Sequence, residues 1–260
     1  MLKIYLLTFF IFLNPFVSLA NLVEIRVLIP AGKSVPFFKG LKEEEIVVKS
    51  FYLDKFPVSN EGFNQFLIEN GQYQKSQVSG IFVDNRYLEH WQADLLTDAE
   101  KKIFGLFPVV NTSWFVARKY CEWMGQRLPT IEEWEYAADV TNQEIMNQIL
   151  LWYSKTGINH LEKIGSHTPN KFGLYDMHGL IWEWVEDFNS VMISGDSREK
   201  GNKQEGLFCG GGSLNVEDAK AYVTFMRYGF RSGLIGNYSI GSLGFRCAMN
   251  HEGKENKETP

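Results

Sequence analysis

A carboxylate set between two indoles, Trp182-Glu183-Trp184, is the feature of this sequence that most clearly implies chemistry. A buried glutamate is costly unless a cation or several donors meet it. Two readings fit: loop backbone N–H groups donate to it, or it ligates calcium through oxygen. Nearby Glu186, Asp187, Asp196 and Asp218 add oxygens without the spacing of an EF-hand loop, so they read as solvated loop charge. Arg227 and Arg231 stand four residues apart. Together they can bind a carboxylate, and a structural or surface pairing would use them equally well.

Other reactive types are sparse. His90, His160, His167, His178 and His251 contain no HExxH, and only His160 and His167 lie near one another, which gives a zinc or iron triad weak support. No GxSxG elbow and no P-loop occur. Gly210-Gly211-Gly212-Ser213 lacks the lysine and the following helix pattern of a phosphate cradle, so it reads as a tight turn. Cys121, Cys209 and Cys247 are too few for a disulfide-built scaffold and form no CxxC pattern.

The elements that must position these residues separate into two textures. In the first half, Ser59 precedes Phe63, Phe66 and Leu67 at helical spacing, with Gly71 as the stop. Ser113 caps a second helix, with Trp114, Ala117, Cys121 and Met124 inward and Gly125 as terminator. Thr130 and Glu133 form a capping box for a third, whose inner face holds Trp134, Ala137 and Ala138. Fourteen of the 23 glycines lie from Gly165 to Gly244, a pattern of loops and short strands. The expectation is one α+β domain with a loop-rich second half. Residues 72–107 give no clear pattern, and Trp91 with His90 suits a pocket wall or the core.

Composition narrows the class. Of 260 residues, 45% are hydrophobic and 22% charged, enough for a sizeable core. The net charge of -5, without a Lys/Arg cluster, argues against nucleic acid as partner. Lys3 is the only charge before Glu24, and an apolar run from Ile4 to Val17 leads to Ser18-Leu19-Ala20. Residues 1–20 therefore read as a cleavable signal peptide. The run is shorter than the roughly 20 residues that span a bilayer, and Pro15 breaks its end. The mature chain, 21–250 with a disordered tail at 251–260, is expected without a membrane span in an oxidising compartment.

Several segments, in this order and spacing, resemble the formylglycine-generating enzyme family, also called sulfatase-modifying factor domains. They are Ile29-Pro30-Ala31-Gly32, Phe51 to Asn60, PVVNTSWFVARKYCEWMGQRLPTIEEWEYAA from Pro108, PNKFGLYDMHG from Pro169, WEWVED, GGS at Gly211 and GFRCA at Gly244. The resemblance covers about residues 26–249 and implies a single loop-rich domain related to C-type lectin folds. It also implies a disulfide between Cys121 and Cys247, while Ala138 stands where a second family cysteine would be. Active members of the family oxidise a substrate cysteine to formylglycine with copper held by two cysteines between the GGS and GFRC motifs. Between Gly210 and Arg246 this chain has no cysteine, and Val216 and the stretch around Ala221 fill the approximate positions. Copper(I) prefers soft thiolates, so copper is disfavoured. Calcium, with Glu183 as its side-chain ligand, is the candidate cofactor. However, Gly179-Leu180-Ile181-Trp182 lacks the family's asparagine before WEW.

The resulting expectation is a secreted, periplasmic, non-catalytic binding or accessory module for a protein partner. Its pocket would be built by Ser213, Arg227, Arg231, Trp182 and Trp184. Some relatives of this fold accompany periplasmic metalloenzymes. The alternative is an oxidoreductase of the formylglycine-generating type, acting on a protein cysteine with a metal and using Cys209 and Ser213 as its weak catalytic candidates.

Overall fold

The computed structural model describes residues 25–34, 45–138, 143–154, 161–189 and 219–251. Residues 1–20, and the tail beyond His251, lie outside that set. Strands β1 (Arg26–Ile29), β2 (Gly32–Ser34), β3 (Ile46–Val48) and β4 (Phe51–Asp54) come first. Helices α1 (Asn60–Glu69), α2 (Asp98–Phe104), α3 (Trp114–Trp123), α4 (Ile131–Ala138) and α5 (Gln143–Ser154) follow. Then come β5 (Trp182–Glu183), α6 (Ala219–Ser232), β6 (Leu243–Gly244) and β7 (Ala248–Asn250). The fold is α+β, with long irregular connections between short elements.

An antiparallel sheet of order β1-β4-β7 joins the two ends of the described chain. Strand alternation sends Phe51 and Leu53 of β4 into the core and turns Tyr52 and Asp54 to the opposite, partly covered face. Arg127 and Ala248 exchange both backbone hydrogen bonds, at 2.9 and 2.7 Å, which fastens the loop after α3 to β7. A second, parallel pair sets Trp182 opposite Leu243 and Glu183 opposite Gly244. A Cβ on Gly244 would run into the Val109 carbonyl oxygen, so this crossing of loops requires glycine.

The helix starts follow the capping residues. Ser59 accepts from the Gly62 N–H at 3.1 Å, and Ser113 from Val116 at 3.3 Å. Thr130 and Glu133 cap α4 reciprocally, at 3.2 and 2.9 Å. Asp187 reinforces that start by accepting from the Ile131 N–H at 2.8 Å, so it is not a solvated charge. Gly125, at φ +69°, ends α3 in the left-handed region that glycine favours. Met124, expected inward, is instead exposed at the end of α3, and Val116 and Tyr120 share its buried face with Ala117 and Cys121.

Three regions differ from the sequence reading. Residues 72–107 contain α2, started by a Thr97–Glu100 capping box, and Trp91 is core, donating from Nε1 to Asn60 Oδ1 at 3.2 Å. The second half holds a 14-residue helix, α6, with Gly229 inside it. His251 does not begin a disordered tail: its Nδ1 pairs with Ser50 Oγ at 3.2 Å and its ring lies 5.5 Å from that of Tyr52.

Cys121 and Cys247 form the disulfide implied by the family resemblance, across a sequence separation of 126, and both are fully buried. Beside it, burial pushes the Asp54 carboxyl up to about 6, despite a Gln126 hydrogen bond and the Arg26 charge 3.6 Å away. A carboxyl whose folded pKa is raised holds its proton more tightly folded than unfolded. Its stabilising contribution is therefore full below pH 3.8 and disappears as pH rises to about 6. His178, pushed down to about 3, acts oppositely by favouring the unfolded state as pH falls below 6.5. Asp54→Asn isolates the first effect. Relative to the parent protein, the variant should gain about 2 kcal/mol of stability between pH 4 and pH 7. Urea titrations across that range measure the gain, and a pH-independent difference would contradict it.

Candidate functional site

The residues singled out by the sequence converge on Trp134, on the inner face of α4. Its indole N–H donates to Glu183 Oε2 at 2.7 Å. Arg246 supplies the cation that a buried Glu183 requires. Its Nε lies 3.0 and 2.8 Å from the two carboxylate oxygens, and its Nη2 2.8 Å from Oε1. The remaining guanidinium donors reach the carbonyls of Asp54, Lys55 and Tyr175. The side chains of Arg246 and Glu183 are 0% and 1% exposed.

This geometry gives the buried Glu183 its own cation and donors, where the sequence had offered calcium as the alternative. Both oxygens are engaged by Arg246 and Trp134. The residues do not fit the ion. Among the described residues, no group of three or more His, Cys, Asp or Glu side chains is placed to hold a metal.

The far side of Trp134 faces α6. Arg227 and Arg231, one turn apart, both grip Glu135 on α4. Arg227 Nε lies 2.9 and 3.1 Å from its oxygens, Arg227 Nη2 2.5 Å from Oε2, and Arg231 Nη1 2.7 Å from Oε1. The guanidiniums also stand over the Trp134 ring, at 5.8 and 4.6 Å from its centroid. Burial alone would raise the Glu135 carboxyl, but the two arginines outweigh it and hold the group down at about 2. The arginines do bind a carboxylate, and it belongs to this chain. Glu135 fills the fork between the two arginines that the sequence reading assigned to a pocket.

His178 closes the cluster edge-on to Trp134, with ring centroids 5.8 Å apart and Nε2 donating to the Ala138 carbonyl at 3.1 Å. Burial, aided by the Arg227 charge, keeps its imidazole neutral at ordinary pH. His167 pairs instead with Asp176, at 2.8 Å from Nδ1, away from any histidine triad.

The two tryptophans of the motif diverge. Trp182 stacks on Phe230 of α6 at 4.3 Å and on Tyr153 of α5 at 5.3 Å, with Trp152 4.9 Å away. Trp184 is fully buried and donates to the Thr112 carbonyl at 2.9 Å. Cys209, Ser213 and Val216 lie outside the described residues, as does His160. Ala221 falls in the first turn of α6.

Sequence reasoning missed Arg246 and Glu135. The first could have been found, since the cost of burying Glu183 demands a cation and Arg246 lies in a quoted motif. The second had no local signal, because 92 residues separate Glu135 from Arg227.

The family model for the sulfatase-modifying factor enzyme 1-like domain matches residues 19–251. The chain belongs to this family. Among its relatives is the inactive C-alpha-formylglycine-generating enzyme 2 of Bos taurus, 29% identical over 246 residues that cover 78% of each chain. The formylglycine-generating enzyme of Mus musculus is 26% identical over 259 residues, covering 79% of this chain and 68% of that one. Among solved structures, PvdO from Pseudomonas aeruginosa aligns with a TM-score of 0.48 at 17% identity, over 87% of this chain and 94% of that one.

In this chain the Glu183–Arg246 and Glu135–Arg227–Arg231 clusters act as clamps between segments. One ties the WEW segment to the GFRCA segment, and the other ties α6 to α4. Neither presents a free nucleophile, acid or metal ligand.

Proposed function

We propose that this chain is a secreted, non-catalytic member of the sulfatase-modifying factor family, serving a protein partner in the periplasm as a binding or accessory module. One observation carries this reading: no cysteine stands between Gly210 and Arg246, where the family's oxidases keep the thiolates that hold copper. Cys209 supplies at most one such ligand, and copper(I) needs more than one soft donor. The similarity to a relative whose name calls it inactive points the same way. So does α6, whose two arginines are committed to Glu135.

Secretion rests on the charged start, apolar run and small residues of positions 1–20. The Cys121–Cys247 bond suits an oxidising compartment. No helix among the described residues is long and apolar enough to cross a membrane.

The reading is tested by titrating the purified mature protein with copper(I) against a competing chelator. The expected result is no tight stoichiometric copper binding. A tight 1:1 complex that disappears in Cys209→Ser would contradict it and favour the oxidase reading. N-terminal sequencing of secreted protein should begin at Asn21.

A further inference from the structure

A cavity of about 620 Å³ opens over the outward face of the β4–β7 pair, lined by Tyr52, Gln126, Arg127, Met249, Asn250 and His251. It shares no residue with the clusters around Trp134, and its volume lies in the range of small-molecule sites. Tyr52 and Met249 face each other across the two strands and supply an apolar floor, with the half-buried Tyr52 ring as its flat part.

The polar groups around that floor are held in place with capacity to spare. Asn250 Oδ1 accepts from Arg127 Nε at 2.8 Å and Nη2 at 2.7 Å, which fixes the amide. Among the described residues, its two Nδ2 hydrogens have no acceptor. Gln126 Nε2 donates to Asp54 Oδ1 at 2.8 Å, so its Oε1 remains an acceptor. His251 uses Nδ1 on Ser50 and keeps Nε2 for another partner. The Arg127 charge is already matched by Glu133 at 2.6 and 2.7 Å.

The cavity thus combines a flat aromatic ring, fixed amide donors, an amide acceptor and an imidazole nitrogen, with no unmatched charge in its lining. An anion would find its guanidinium occupied, and a cation would find no carboxylate on the wall. Adjacent ring hydroxyls, which donate and accept while their C–H face packs on an aromatic, suit this set. We propose that the cavity is a binding site for a neutral saccharide, a role beyond the partner-binding one above.

The test uses full-length mature protein with chitotriose, maltotriose and cellotriose at millimolar concentration, followed by saturation-transfer NMR and calorimetry. At least one trisaccharide should bind. Tyr52→Ala should weaken binding about tenfold by removing the stacking surface. Asn250→Asp keeps the acceptor for Arg127 but removes both spare donors, so it should weaken binding to a similar extent with the fold unchanged by circular dichroism. Trp182→Leu should leave binding intact. If none of the three sugars binds, or if binding survives Asn250→Asp undiminished, the proposal is overturned. Should Tyr52→Ala fail to fold, Asn250→Asp decides alone.

Discussion

Replacing Cys121 and Cys247 together by alanine is expected to lower the unfolding free energy by about 5 kcal/mol. The bond joins residues 126 apart, so it removes a large share of the unfolded chain's freedom. It links α3 to the residue just before β7. There, the Cys247 carbonyl accepts from the Asp54 N–H at 2.9 Å, and its own N–H donates to Asp54 Oδ2 at 3.3 Å. Loss of the bond therefore loosens the same contact that closes the sheet. A domain of this kind has about 5–15 kcal/mol in total, so the variant should unfold at far lower urea. Complete burial also predicts that mild reductant leaves the native bond intact and cleaves it only once urea opens the fold. Equilibrium urea curves with and without reductant check both points. A loss below about 1 kcal/mol would show that the loop-closure account is wrong here.

The second large effect concerns Arg246. Arg246→Met should cost about 3–5 kcal/mol, because it leaves Glu183 charged, buried and without a cation. It also deprives the Asp54, Lys55 and Tyr175 carbonyls of their donor. Glu183→Leu alone strands the guanidinium and should cost a similar amount. Combined, the two substitutions leave no stranded charge and should recover that part of the loss, while the carbonyls of Asp54, Lys55 and Tyr175 still lack their donor. The double-mutant cycle, read by urea denaturation, should give a coupling of about 2 kcal/mol or more. Additive losses would mean that the pair is not the clamp described. The same experiments address calcium: millimolar calcium should leave the melting temperature of the parent protein unchanged, whereas a clear upward shift would restore a calcium site.

Local rules explain what was legible in the sequence. Ser59, Ser113 and the Thr130–Glu133 box each place an orphan N–H acceptor beside an apolar stripe, and all three helices start there. The Cys121–Cys247 bond came through family motifs, because no local pattern reports a contact across 126 residues. The glycine-rich second half concealed α6, whose inner face meets Glu135 of α4 and Trp182 of β5. The carboxylate partner of the two arginines was hidden for a related reason. Arg227 and Arg231 have the spacing to hold a carboxylate, but sequence alone does not reveal that Glu135 reaches them first. The cost of burying a charge was the more reliable guide: Glu183 needed a cation, and the fold provides Arg246.

The central proposal is that this chain does not carry out the cysteine oxidation that active members of the family perform. Oxygen uptake and mass spectrometry of a cysteine-containing sulfatase-type peptide, incubated with copper-supplemented mature protein, test this directly. The account predicts no oxygen uptake above the peptide-plus-copper control and an unmodified cysteine. Turnover that converts the cysteine to formylglycine, and that is abolished in Cys209→Ser, would contradict it.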